Sequence, residues 1–150
     1  MRIAIIGAGI AGTTLAYWLR RVGYEPVLIE QAPQLRSGGY VIDFWGVGYD
    51  VAEKMGLIPD LQRLGYAVKE WRLVSASGRR NGGFSTNVIS PLAGGRIVSL
   101  QRSDLAASIY RTIRETVETI FDETVVAIEE KTDGARITFE HHPSRDFDLV

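Results

Sequence analysis

Cysteine is absent from the 150 residues, which excludes a disulfide scaffold, a thiolate metal site and a cysteine nucleophile. Long apolar runs are missing too. The opening Ile3-Ala4-Ile5-Ile6 stops at Gly7, too short for a secretory h-region or a membrane span. Charge of one sign is not in excess: 17 basic residues face 18 acidic ones, for a net charge of −1. No basic run suited to nucleic acid or an anionic membrane appears. Histidine occurs only at His141 and His142. On a strand, neighbours point to opposite faces, so the two are expected to be exposed and unable to chelate one metal. Ser37, Ser75 and Ser85 lack the His–Asp arrangement that nucleophilic hydrolysis needs. What remains is ordinary globular material, 45% hydrophobic and 23% charged, about one domain long. A soluble, cytoplasmic protein is expected, in keeping with the missing cysteine.

The pattern predicts a buried strand over 2–6, a helix over 10–22 and a second buried strand over 25–30. On that helix Ile10, Ala11, Thr14, Leu15, Trp18, Leu19 and Val22 share a face, and Gly23 ends it. Strand, helix, strand in about 30 residues implies a parallel pair with a right-handed crossover. A Gly-rich loop follows over 31–48, with a short extended piece near 40–44. Short helices are predicted over 49–55 and 58–65, and strands over 67–75, 84–89 and 96–100 around a turn from Gly78 to Gly83. A helix is predicted over 103–117, with Leu105, Ala106, Ile109, Ile113 and Val117 on one face. The tail is β-rich, an antiparallel meander of 124–130, 136–141 and 146–150. Trp45 and Trp71 are expected in core or sheet packing, and Trp18 on a packed helix face. The fold class is α/β: a Rossmann-like parallel sheet plus a three-stranded antiparallel meander. A plain NAD domain would continue βαβ after residue 30. This order suits FAD domains of the glutathione-reductase type better.

Gly7-Ala8-Gly9-Ile10-Ala11-Gly12 is a G-x-G-x-x-G turn, and Glu30 lies 18 residues beyond Gly12. Alone the pattern is weak. After a strand, before a helix and with the acid closing the next strand, it is a dinucleotide fingerprint. Gly7 permits the tight turn, Gly9 lets the backbone approach a diphosphate, and Gly12 lets helix and strand pack closely. The free N–H groups of the helix face the anion. Glu30 suits ribose hydroxyls, and its charge disfavours a 2′-phosphate.

With Glu30-Gln31, Arg36, the Gly38-Gly39 loop and Arg102-Ser103-Asp104-Leu105, the chain resembles FAD-dependent monooxygenases of the para-hydroxybenzoate hydroxylase class. It is most like the branch that holds tetracycline-inactivating monooxygenases and related aromatic or polyketide hydroxylases. Gly39-Tyr40-Val41-Ile42-Asp43-Phe44-Trp45-Gly46 adds to that likeness. The resemblance implies FAD at Gly7, Ala8, Gly9, Ile10, Ala11, Gly12, Glu30 and Gln31. It sets Arg36 near the phosphates or ribityl chain, Asp43 near the flavin or substrate entrance, Arg102 facing the flavin, and the Val126 backbone at the adenine. It implies NAD(P)H as a transient reductant, O2, and an aromatic or polyketide-like substrate hydroxylated through a flavin C4a-hydroperoxide. No catalytic acid–base pair stands out, as expected where the cofactor carries the chemistry.

The family's later Asp-Gly and Gly-Asp elements are not present before Val150. The chain is therefore expected to be a fragment: residues 1–66 and 101–150 an incomplete FAD-binding domain, residues 67–100 the first strands of a substrate domain. Such a piece is expected to hold FAD weakly and to self-associate through uncovered apolar faces. Competing readings are an amine-oxidase or reductase flavoprotein, which usually carries Arg where Tyr40 stands, and a non-catalytic dinucleotide-binding module.

Overall fold

The first strand, β1 (Arg2–Ile6), is apolar without interruption because both its faces are covered. Ile3 and Ile5 enter one core and Ala4 the other. The strand β2 (Glu25–Ile29) repeats the pattern, Leu28 on the first side, Val27 and Ile29 on the second. The two pair in parallel, Arg2 opposite Glu25 through Ile6 opposite Ile29. The helix α1 (Ile10–Arg21) makes the crossover. This computed structural model describes residues 1–92 and 94–150. The chain forms two units, Met1–Gly38 with Leu105–Val150, and Gly39–Asp104.

In the second unit, β3 (Val41–Trp45), α2 (Val47–Lys54), α3 (Ile58–Leu64), β4 (Glu70–Val74), β5 (Arg80–Ser85), α4 (Thr86–Leu92) and β6 (Ile97–Gln101) follow in order. The antiparallel pairs are β3 with β6 and β4 with β5. Tyr49, Ala52, Met55, Leu57, Leu61, Val98 and Leu100 are buried. Arg96 ties α2 down, bonding Asp50 and Glu53 at 2.8 Å each and lying over the Tyr49 ring.

The chain continues through α5 (Arg102–Arg111), then β7 (Glu118–Ile120), β8 (Val125–Lys131), β9 (Gly134–Phe139) and β10 (Arg145–Phe147). The strand β7, not separately predicted, adds to the parallel sheet in the order β1-β2-β7. The meander runs β10-β9-β8. After it, Leu149 bridges Ile3 in parallel, with the Ala4 N–H donating to the Leu149 carbonyl at 2.9 Å. The sheet thus has two cores. Ile3, Ile5, Ala16, Leu28, Ile113 and Val117 form one under the helical side, and Ala4, Val27, Ile29, Ile137, Phe139 and Phe147 form the other under the meander.

Several expectations are corrected. The buried residues of α1 are Thr13 and Ala16, while Leu15 and Val22 are exposed. Small side chains let this helix lie close on the sheet, so its contact face is not its most apolar one. Residues 84–89 are not one strand. The hairpin turns earlier, with the Ser75 N–H donating to the Arg79 carbonyl at 2.8 Å, and Gly82 and Gly83 belong to β5. A helix starts at Thr86, where the Ser85 hydroxyl accepts from the Asn87 N–H at 3.2 Å and serves as its cap. The helix predicted over 103–117 stops at Arg111. Beyond it the N–H groups of Thr112, Ile113 and Thr116 bond three residues back, and the Thr112 and Thr116 hydroxyls take the carbonyls of Ile109 and Ile113. Ile113 and Val117 stay buried regardless. Trp45 is 61% exposed and does not pack in a core. Among the described residues, no helix is long and apolar enough to cross a membrane.

Candidate functional site

Parallel strands leave their carboxyl ends open, and in the first unit those ends carry the glycine turn and Glu30. Gly7 has φ +103, a backbone closed to most side chains, and its N–H donates to the Ile29 carbonyl at 2.7 Å. Gly9 is the N-cap of α1 in extended conformation, with no side chain capping the helix and no acid in its first turn. The leading N–H groups therefore have no intrahelical partner and no acid from the helix's own first turn beside them. A Cβ on Gly9 would meet nothing within 4 Å. A Cβ on Gly12 would lie 1.9 Å from the Gly7 carbonyl oxygen. One glycine keeps space open and the other keeps helix and strand together, and Ala8, Ile10 and Ala11 supply the remaining backbone of the turn.

The Glu30 carboxylate reaches that turn. Its Oε2 accepts the Ala8 N–H at 2.9 Å and its Oε1 the Ala32 N–H at 3.0 Å. A carboxylate has about four acceptor positions, so acceptor capacity remains for a ligand's hydroxyls. Beside it lies a cleft of about 650 Å³ lined by Ile6, Gly7, Glu30, Gln31, Arg36 and the run from Glu123 into the start of β8 at Ile128. Ile6, Val126 and Ile128 are exposed and give it apolar surface. Five of the predicted site residues therefore meet at one cleft: Gly7, Glu30, Gln31, Arg36 and Val126. Asp43 and Arg102 belong to the second unit. Asp43 faces Ser99 across β3 and β6, and the Ser99 hydroxyl donates to it at 2.5 Å. Arg102 bonds the Tyr40 hydroxyl at 3.2 Å.

One residue of the cleft was not foreseen. Glu123 is 1% exposed. Its carboxylate accepts the N–H groups of Thr124, Glu140, His141 and His142 at 2.8 to 3.2 Å, and His142 Nδ1 lies 2.5 Å away. Burial pushes this carboxyl up, but the His142 side chain and the backbone donors of His141, Thr124 and Glu140 outweigh it, and the result is lowered from 4.5 to about 2. The Glu123 N–H also donates to the Glu30 carbonyl at 3.1 Å. The expectation of two strand histidines pointing apart is corrected here. The strand β9 ends at Phe139, and His141 and His142 follow in a bend that turns both Nδ1 atoms towards Glu123. Among the described residues no group of three or more His, Cys, Asp or Glu side chains is placed to hold a metal ion.

Residues 2–112 match the family model described as FAD dependent oxidoreductase. The chain is 36% identical over 152 residues to the Mycobacterium tuberculosis protein "Uncharacterized protein Rv1260", covering 99% of this chain and 40% of that one. It is 30% identical over 157 residues to a "Flavin-dependent monooxygenase" of Legionella longbeachae, covering 100% of this chain and 38% of that one. The chain thus spans about 40% of the length of the curated relatives it matches. Among solved structures, the tetracycline destructase Tet(51) superposes with a TM-score of 0.80 at 28% identity, over 99% of this chain and 37% of that one. The Klebsiella pneumoniae HpxO complexed with FAD and uric acid gives 0.76 at 24% identity, over 99% of this chain and 38% of that one, a likeness of fold alone.

Proposed function

Because the chain belongs to the FAD-dependent oxidoreductase family, we propose that it supplies the cofactor-holding part of a flavoprotein monooxygenase. The whole protein uses NAD(P)H and O2 to hydroxylate an aromatic or polyketide-like small molecule, in the cytoplasm. The observation that carries this reading is the turn at residues 7–12 with Glu30 bonded to it: an uncapped helix start, open space at Gly9 and an acid with acceptor capacity left over. These features fit the diphosphate and ribose of FAD.

In this proposal the leading N–H groups of α1 hold the diphosphate and Glu30 accepts from ribose hydroxyls. Gln31, Arg36 and the Val126 backbone line the nucleotide end. Asp43 and Arg102 are assigned to the flavin end by the family resemblance. FAD, when bound, supplies two-electron redox chemistry and the activation of O2. The protein's part is to position, to provide fixed charge and to exclude water. The fold is assigned to the glutathione-reductase type, with residues 1–66 and 101–150 binding FAD and residues 67–100 opening a substrate domain. Relatives named as flavin-dependent monooxygenases support the reaction class. The test is substrate-stimulated NAD(P)H oxidation by the full-length protein under isotopically labelled O2. Label in the hydroxylated product is expected. NAD(P)H consumption that yields only hydrogen peroxide whatever aromatic is added would reject the monooxygenase reading in favour of an oxidase or reductase.

A further inference from the structure

The second unit holds a cleft of its own, about 370 Å³, between α3, the residues 65–68 that follow it, the first half of β6 and the base of the β4–β5 hairpin. Gly65 lets the linker lie close on β6, since a Cβ there would sit 2.6 Å from Val98 Cγ1. The Tyr66 N–H then donates to the Ser99 carbonyl at 2.7 Å. Small-molecule sites have this size, and they combine apolar walls with a few placed polar groups.

Two aromatic rings line the cleft, Tyr66 and Trp71. Trp71 is half-buried and packs on its cross-strand partner Phe84, ring centroids 5.3 Å apart. Tyr66 is 49% exposed and fills no core. The polar groups include Gln62, Asn87 and Ser99. Among the described residues the side-chain amides of Gln62 and Asn87 have no partner, so their donors and acceptors remain free. The buried Ser99 hydroxyl already donates to Asp43 at 2.5 Å, so towards a ligand it can only accept.

Charge narrows the choice further. None of the described residues lining the cleft is charged, so an anion entering it would find no cation. The Asp43 carboxylate one bond behind Ser99 would repel it. Rings select a flat molecule, the amides and the serine oxygen select one with hydroxyl or amide edges, and the missing cation rejects a carboxylate.

We propose that this cleft binds a neutral, hydroxylated aromatic molecule and discriminates against its carboxylate counterpart. Taking that molecule as the substrate rests on the monooxygenase reading above, while the site itself is read by binding alone.

The experiment is calorimetric titration of the full-length protein, without NAD(P)H, with 4-hydroxybenzamide and with 4-hydroxybenzoate, two probes of one size that differ in charge. The amide is expected to bind about tenfold or more tightly than the acid. Trp71→Ala is expected to weaken the amide roughly three- to tenfold. Gln62→Leu/Asn87→Leu, which changes only exposed side chains and keeps the test open where Trp71→Ala does not fold, is expected to weaken it about tenfold. Equal or tighter binding of the acid, or an amide affinity unchanged in the folded variants, would overturn the proposal. Labelled oxygen entering an aromatic whose binding ignores these variants would overturn the site and leave the monooxygenase reading standing. The expected binding losses without any oxygenation would support the site and overturn that reading instead.

Discussion

Gly9→Ala and Gly12→Ala add the same methyl group to the same turn, and the structure separates their outcomes. At Gly12 the new Cβ would sit 1.9 Å from the Gly7 carbonyl oxygen, 3.1 Å from its carbon and 3.3 Å from Ile5 Cγ2. Two of those atoms are backbone, so relief requires the helix to move off the strand. Overpacking of this kind costs about 1–3 kcal/mol, here at the upper end because no side chain can rotate away. At Gly9 the Cβ meets nothing within 4 Å, and the residue is extended, at φ −77 and ψ −173. Alanine accepts that conformation, and its gain through the unfolded chain of about 0.4–1 kcal/mol is offset by its poorer fit at an N-cap, so Gly9→Ala is expected to leave apoprotein stability within about 1 kcal/mol of wild type. Its effect falls on the ligand. A diphosphate lying against that backbone would be pushed away, and a loss of about tenfold or more in FAD affinity is expected, equal to about 1.4 kcal/mol. Urea melts of the apoproteins and fluorescence titrations with FAD read the two quantities separately. Gly9→Ala protein that folds and binds FAD like wild type would refute the idea that this turn cradles the diphosphate.

Glu30→Gln is expected to weaken FAD by about 10- to 100-fold, since the amide loses a charged acceptor for ribose and turns an NH2 towards an Ala8 or Ala32 N–H, a cost of about 1.5–3 kcal/mol. The same titration checks it. Glu123 is expected to contribute to acid stability. Its folded value, about 2, lies below the ordinary 4.5, so its contribution is complete above pH 4.5 and is lost as pH falls from there through 2. That contribution is roughly 3 kcal/mol. Denaturant melts from pH 6 to pH 2 are expected to steepen over that window in wild type and to flatten in Glu123→Gln, which at neutral pH is expected to be about 2–3 kcal/mol less stable. Parallel curves for the two proteins would show that the carboxylate is not held as described.

Legibility in the sequence follows how each feature is encoded. The unbroken apolar runs at residues 3–6 and 27–29 announce strands covered on both faces, and two separate cores meet them. The hairpin at Thr132-Asp133-Gly134 is announced by turn chemistry, and β8 pairs β9 around it. The helix α1 was found by period and its contact face was missed. The apolar pattern favours Leu15 and Val22, while close packing on the sheet selects Gly12, Thr13 and Ala16 for size. Residues 86–89, Thr-Asn-Val-Ile, carry β-branched side chains that suit a strand. A Ser85 cap and bonds from the Thr86 N–H and hydroxyl to the Lys69 carbonyl decide for a helix instead.

The contrast between Glu30 and Glu123 shows where sequence reasoning stops. Glu30 is legible because its partner, the glycine turn, is itself a pattern at a fixed spacing. Glu123 has no such mark. Its donors are backbone N–H groups of residues 124 and 140–142, whose identity leaves no trace in a side-chain alphabet, together with one imidazole brought round by a bend. Sequence alone makes it an acid in the connection between the helix predicted over 103–117 and the strand predicted over 124–130. The fold makes it the buried post from which Thr124 to Ile128 run along the cleft, tied through its own N–H to Glu30. The two acids are joined by that one bond, while the Glu123 carboxylate holds the N–H groups of residues 140–142. Loosening at residues 140–142 is expected to reach the cleft through that one carboxylate.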